Sequence, residues 1–237
     1  MINRGLASIC LLLLGIGTGS ALAQDADFLD LGNLAYSRGQ YDIAIREYTQ
    51  VLSEIGGNRS AAHYNIGVCY QHMEQFNEAV EHYRSAIQIR EGRYPVASYA
   101  LGVTLEQLGR LAEAKEAFRQ AVKSSGGSYI AATFEIGLIS MQQGELDEAA
   151  VAYHQAMNGS GKNAASCHNN LGIVLALSGD YGQAEREFMV ALKQSRGKLA
   201  EARQNLALCK QLYAAPALVA ALRVSTRRMQ LVTLSGG

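Results

Sequence analysis

The chain has 237 residues, with 21 Lys and Arg balancing 21 Asp and Glu, only two prolines and 24 glycines. The balanced charge removes the electrostatic argument for binding to nucleic acid or to an anionic membrane surface, because both need a clustered basic excess. Few prolines, abundant alanine and no long alternation of Val, Ile and Thr favour an all-α chain.

The first 23 residues differ from the rest and are predicted to form a secretory signal peptide. Arg4 supplies a positive start, residues 6–16 are apolar, and the Ala-Leu-Ala at residues 21–23 fits the rule for cleavage before Gln24. The apolar stretch is shorter than the roughly 20 residues that span a bilayer, although an uncleaved anchor remains an alternative. We expect a periplasmic or secreted mature chain that is not inserted in a membrane.

The cysteines are expected to pack as small apolar side chains between helices. Cleavage removes Cys10 and leaves Cys69, Cys167 and Cys209, an odd number without paired spacing. Such a set predicts no disulfide framework. The remaining role for them is that of small hydrophobic side chains.

A 35-residue period organises the chain from residue 25 to residue 199. An alanine stands twelve residues after each repeated glycine, followed by an aromatic residue four positions later and a small residue three positions after that. The repeated pairs are Leu31-Gly32, Ile66-Gly67, Leu101-Gly102, Ile136-Gly137 and Leu171-Gly172. The aromatic residues are Tyr48, Tyr83, Phe118, Tyr153 and Phe188.

Each period is predicted to contain two helices. Spacings of four and three place the alanine, the aromatic and the small residue on one face of the second helix. The glycine lies within the first helix, where it costs about 1 kcal/mol relative to Ala. We therefore expect the second helix to pack directly on the glycine backbone, with the alanine as the matching small surface.

A second set of glycines predicts where helices end. A glycine closes the first helix in four copies, at Gly39, Gly109, Gly144 and Gly179, and Glu74 stands there in the second copy. We expect that turn to be made differently. The links between copies are predicted at Gly57, Gly92, Gly127 and Gly197, with Lys162 in the remaining copy.

Together these repeated residues, at fixed positions in each 35-residue copy, resemble the tetratricopeptide repeat. The resemblance implies a right-handed α-α solenoid of five helix pairs, although the copies are 35 residues long and lack the family's proline near the end of the second helix. We expect capping helices over residues 199–230 and a disordered tail over 231–237. The five copies are predicted at residues 25–59, 60–94, 95–129, 130–164 and 165–199.

The resemblance also implies a concave groove lined by the first helices. We predict that it binds an apolar or amphipathic segment of a partner polypeptide, with aromatic residues as rigid anchors. The predicted groove residues are Tyr64, Tyr99, Phe134, Asn33, Val68, Val103, Leu138 and Tyr36. Two alternatives stay open, in which these side chains pack between adjacent first helices or the apolar C-terminal segment occupies the groove.

Some members of the family use basic residues of the first helices to grip a C-terminal carboxylate. Leu29, Val96 and Ala100 stand at the corresponding positions here. A carboxylate buried without a cation is costly, so we do not expect that specificity.

The sequence offers no residues for catalysis, a cofactor or a metal. Residues 158–162, Asn-Gly-Ser-Gly-Lys, lack the leading glycine and the final Ser or Thr of a phosphate loop. Cys167 and His168 are adjacent on a helix and point about 100° apart, and neither the histidines nor the cysteines show zinc-ligand spacing. We expect an exported, non-enzymatic scaffold. The alternative is a structural, self-associating envelope protein, which leaves homo-oligomers open.

Overall fold

The computed structural model describes residues 28–53, 58–159 and 164–214. Within these ranges every regular element is an α-helix, which confirms the all-α prediction. The predicted signal peptide, Gly57, Lys162 and the segment from residue 215 onward lie outside the described residues. The chain divides into two compact units, Met1–Ala117 and Phe118–Gly237, and each is described by itself.

Helices follow one another in pairs along each unit. The first unit holds α1 (residues 28–37), α2 (Tyr41–Ser53), α3 (Arg59–His72), α4 (Phe76–Ile89), α5 (Pro95–Gln107) and the start of α6 (Leu111–Ser124). The second unit holds the end of α6, then α7 (Ile130–Gln143), α8 (Leu146–Gly159), α9 (Ala164–Ser178), α10 (Tyr181–Gln194) and α11 (Ala200–Ala214). None of the described helices is long and apolar enough to cross a membrane.

Local sequence signals account for several helix starts. The side chain of Asn58 accepts a hydrogen bond from the backbone N–H of Ala61 and so caps α3. Pro95 occupies the first turn of α5, where its missing N–H removes no intrahelical bond. Asp180 caps α10 by accepting from the backbone N–H of Gln183 at 2.9 Å.

One core cluster of the first unit joins the second helix of the first repeat to the first helix of the second repeat. In this cluster, residues of α2 are buried against residues of α3. Full burial of a large apolar side chain such as that of Ile66 stabilises the fold by about 1.5–3 kcal/mol. The fully packed residues are Ala44, Tyr48 and Val51 of α2 and Ala62, Ile66 and Cys69 of α3.

The glycines of the first helices are covered by the aromatic rings of the second helices. A Cβ at Gly67 would lie 2.8 Å from Cε1 of Tyr83, and one at Gly172 would lie 2.7 Å from Cε1 of Phe188. The predicted close approach therefore exists. The nearest side chain is the ring sixteen residues later, however, and not the alanine that we expected from the sequence.

The turn between α3 and α4 corrects another expectation. Gly109 and Gly144 adopt left-handed conformations, with φ of 73° and 79°, as a glycine cap requires. Glu74 stands at the equivalent place and also has a positive φ of 59°. The turn is thus made in the same way, by a residue for which this conformation is strained.

The last described helix of the second unit is α11, which lies within the segment that we expected to form capping helices. Cys209 and Leu212 of α11 are buried in a cluster with Ala184 and Phe188 of α10. The opposite side of α11 is polar and exposed. The exposed residues there are Arg203, Gln204, Lys210 and Gln211.

Candidate partner-binding surface

Side chains on the first helices of the first unit connect neighbouring repeats. The hydroxyl of Tyr36 on α1 lies 2.8 Å from Nε2 of His72 on α3. Gln71 on α3 donates from Nε2 to Oε1 of Gln107 on α5 at 3.4 Å. Both pairs are 36 residues apart in sequence. The helices α1, α3 and α5 therefore lie side by side, and they carry six of the eight predicted groove residues.

Tyr64 is held by other aromatic side chains. Its ring centroid lies 5.8 Å from that of Tyr83 and 5.7 Å from that of Tyr94. The guanidinium of Arg90 lies 5.5 Å from the Tyr94 ring centroid, at cation–π distance. Tyr64 is partly buried by these contacts. A ring fixed in this way loses little freedom on binding, which suits it as an anchor.

Two tyrosines of the second helices reach polar side chains of the first helices. Tyr48 donates its hydroxyl hydrogen to Oδ1 of Asn33 at 2.8 Å, and Tyr83 donates to Oε1 of Gln71 at 2.8 Å. Burial raises the pKa of Tyr48 to about 12, so this hydroxyl is protonated at neutral pH. Asn33 itself is exposed. Its carbonyl oxygen is thus fixed in place, and its amide hydrogens remain available as donors.

The other predicted groove residues of the first unit are partly buried. Val68, Tyr99 and Val103 each have a covered part and an exposed part. Tyr36 is also partly buried, with its ring 5.7 Å from that of Tyr41. Glu106 adds an acid to this apolar surface, and burial raises the pKa of its carboxyl.

In the second unit, Phe134 and Leu138 are the predicted groove residues. Both are partly buried and pack on the cluster formed by Tyr153 and Leu171. The ring of Phe134 meets that of Tyr153 edge to face, with centroids 5.7 Å apart. These two side chains therefore contribute to the packing of their unit as well as to its surface.

A buried row of asparagines on α9 and α11 was not predicted. Asn205 donates from Nδ2 to Oδ1 of Asn169 at 3.0 Å, and Asn169 donates to Oδ1 of Asn170 at 3.2 Å. All three side chains are buried. Asn169 occupies a groove position by repeat register, yet it bonds the two helices together. The 35-residue spacing of Asn170 and Asn205 was the available signal.

Cys167 and His168 are engaged in separate contacts. Cys167 is buried, and burial raises the pKa of its thiol to about 11, so it stays protonated at neutral pH. Nδ1 of His168 lies 2.6 Å from Oε2 of Glu187 on α10. Cys69 and Cys209 are also buried thiols without a disulfide. Within the described ranges no three side chains of His, Cys, Asp or Glu converge as metal ligands.

Comparison with family models identifies the repeats. Models described as tetratricopeptide repeat match residues 24–92 and 58–125, residues 99–165 and residues 165–188. The matches run without interruption from residue 24 to residue 188. The chain belongs to the tetratricopeptide-repeat family, whose members are generally non-enzymatic scaffolds with protein or peptide partners.

Several solved structures share the fold. The crystal structure of a MamA protein is 23% identical and covers 74% of this chain and 93% of that chain, with a TM-score of 0.65. MamA from Desulfovibrio magneticus RS-1 is 17% identical and covers 74% of this chain and 97% of that chain, with a TM-score of 0.63. YrrB, described as a TPR protein with an unusual peptide-binding site, is 23% identical and covers 78% of this chain and 91% of that chain, with a TM-score of 0.61.

Identities this low show likeness of fold alone. None of the curated proteins matches the chain.

Proposed function

We propose that the chain is an exported, non-enzymatic scaffold that binds an apolar or amphipathic segment of a partner polypeptide. The observation that carries this proposal is the surface of α1, α3 and α5 in the first unit. It combines partly buried aromatic and aliphatic side chains with amide groups held by tyrosines of the second helices.

The chemistry of this surface suits a polypeptide better than a small charged ligand. Tyr64, Val68 and Val103 offer apolar contact, which favours burial of a partner's hydrophobic side chains. The amide of Asn33 can donate to a backbone carbonyl of the partner. The peptide-binding site named for YrrB supports this reading, because that protein has a similar fold.

The test is site-specific photo-crosslinking in the native cell. A photo-reactive side chain in place of Val68 or Val103 should trap a partner polypeptide, because both positions are partly exposed on the surface of the first unit. Adding Tyr64→Ala and Tyr99→Ala should abolish the product. The matched control is Tyr213→Ala, since Tyr213 is 64% exposed on α11 and lies outside the proposed surface.

Circular dichroism and thermal unfolding of the double variant establish that it remains folded. An undiminished product with a folded double variant would refute the proposed surface. Export is tested separately. Cell fractionation gives the location of the protein, and mass spectrometry identifies the first residue of the mature chain. A cytoplasmic chain that retains residues 1–23 would refute export.

A further inference from the structure

The first repeat leaves exposed two positions that are buried in the repeats after it. These are the seventh and tenth positions, counted from the predicted start of each copy. Leu31 and Leu34 hold them in the first repeat and are 49% and 46% exposed. The later seventh positions are the buried Ile66, Leu101, Ile136 and Leu171. The later tenth positions are the buried Cys69, Thr104, Ile139 and Val174.

In the second and fifth repeats, a helix of the preceding repeat covers these positions. Ile66 and Cys69 are buried against α2, and Leu171 and Val174 are buried against α8. No helix precedes α1 among the described residues. Leu31 and Leu34, each about half exposed, therefore form an apolar face on α1 that no described helix covers.

Opposite charges flank the two leucines. Asp30 is on α1 and Arg38 is in the turn directly after it, and both are exposed. A helical step of about 100° per residue places Asp30, Leu31 and Leu34 on one side of α1, and Arg38 follows directly after the end of the helix. Neither Asp30 nor Arg38 has an ion-pair partner within the part of the chain that the structure describes.

We propose that this face of α1 binds the same face of a second copy of the chain, with the two helices antiparallel about a two-fold axis beside Leu34. Asp30 and Arg38 are each four residues from Leu34. Asp30 of one copy then lies opposite Arg38 of the other, and the contact occurs twice. A two-fold interface requires this self-complementarity. The interface goes beyond the proposed function, because it needs neither a partner polypeptide nor the anchors of the groove.

The size of the face sets the strength of the contact. The described part of α1 has ten residues and is about 15 Å long. Two such helices bury less surface than a standard stable interface, so we expect a dimer that dissociates on dilution. Its mass should therefore be measured by light scattering or sedimentation between about 1 µM and about 1 mM.

The first test introduces Leu34→Cys in the full chain with Cys10→Ser. Mild oxidation should crosslink two copies, because the introduced thiols meet at the axis. The native Cys69, Cys167 and Cys209 are buried and should not compete. Val151→Cys is the matched control, since Val151 is 55% exposed on α8 and should give no such product. Equal crosslinking of the two variants would overturn the proposal.

The second test exchanges the charges. Asp30→Arg alone and Arg38→Asp alone should each weaken the dimer by about fivefold to tenfold, because each change places like charges together twice. The double exchange should restore it. Tyr64→Ala with Tyr99→Ala should leave the dimer unchanged while abolishing partner binding, which separates this inference from the proposed function.

Two further results would overturn the inference. The first is a monomer at every concentration, and the second is a dimer that the double exchange fails to restore.

Discussion

In the second repeat, Nδ1 of His63 lies 3.1 Å from Nδ1 of His82, whereas in the fifth repeat Nδ1 of His168 lies 2.6 Å from Oε2 of Glu187. Both members of the second pair stand 105 residues after those of the first, which is three periods of 35. The same place between a first and a second helix thus holds two imidazoles in one repeat and an imidazole with a carboxylate in the other. The period fixes where side chains meet, and the residue types decide what they do there.

The surroundings of the histidine pair determine its response to acid. Burial, reinforced by Arg59, lowers the pKa of His63 below its ordinary value of 6.5. Burial and His63 lower the pKa of His82, against the opposing effect of Glu81. The ring of Tyr70 lies 5.4 Å from that of His82 and covers the pair further. Two neutral imidazoles can share one proton, but two charged ones repel each other.

The largest effect should come from filling the glycine positions that the two repeats share. Gly67→Ala and Gly172→Ala each place a methyl group under 3.0 Å from a buried ring, that of Tyr83 or Phe188. Overpacking of this kind costs about 1–3 kcal/mol, and the gain of about 1 kcal/mol in helix propensity offsets part of it. Thermal unfolding with hydrogen exchange should show the loss in the substituted repeat.

Gly182→Ala is the control for both glycine substitutions. Its added methyl group would lie 3.9 Å from Oδ1 of Asp180 and would meet no ring. We expect unchanged or increased stability. Equal destabilisation by Gly67→Ala and Gly182→Ala would show that the ring contact is not what requires glycine at residue 67.

The histidine pair should make the second repeat sensitive to acid. A pKa lowered by folding means that the unfolded chain takes up protons first as the pH falls. The stability from neutral His63 and His82 is present above the unfolded value of 6.5 and is lost below it, toward their lowered folded values. His82→Glu copies the pairing of the fifth repeat and should reduce the fall in thermal stability between about pH 7.5 and about pH 5.5.

The reciprocal variant, Glu187→His, creates a histidine pair in the fifth repeat. It should make that repeat more sensitive to acid over the same pH range. Hydrogen exchange assigns the change to α9 and α10, where His168 and residue 187 lie. If both exchanges leave the pH profile as it was, the two pairs do not control acid stability.

The sequence was sufficient to predict the helix pairs and the backbone approach at glycine, because both follow from a repeated spacing. It did not show that the ring of Tyr83, and not Ala79, fills the space above Gly67. Spacing along a helix places both residues on one face, whereas side-chain length decides which of them reaches across. The positive φ of Glu74 was not predicted, because we assumed that only glycine would adopt this conformation. The geometry of the turn requires it whichever residue stands there.

The candidate site was less predictable from the sequence than the fold. From the family positions we predict that Tyr64 and Val68 face the groove, and the structure shows both as partly buried. Asn169 holds an equivalent position but is buried through its bonds to Asn170 and Asn205. Hydrogen bonding between neighbouring first helices depends on pairs of residues in different repeats. The residues at any one repeat position do not reveal such pairs.

A further difference between the two repeats is a hydrogen bond. Tyr83 donates to Gln71 in the second repeat, and the equivalent residues of the fifth repeat are Phe188 and Ala176. Tyr83→Phe should cost about 0.5–1.5 kcal/mol, because Gln71 loses the donor of a partly buried bond. Adding Gln71→Ala should recover part of this loss, since both polar partners are then absent. Purely additive losses in this double-mutant cycle would show that the two side chains are not coupled.

The smallest effect should come from the turn. Glu74 has a φ of 59°, and the equivalent Gly179 has a φ of 92°. Glu74→Gly relieves the left-handed strain of about 1–2 kcal/mol but gives the unfolded chain more freedom, so we expect a net stabilisation of about 0.5–1 kcal/mol. Gly179→Glu should lower stability by a similar or larger amount.

Denaturant unfolding of both variants measures these changes in stability. Glu78→Gly is the control, because Glu78 is exposed in the first turn of α4 and glycine there relieves no strain. Stabilisation by Glu74→Gly that is matched by Glu78→Gly would contradict the strain at residue 74.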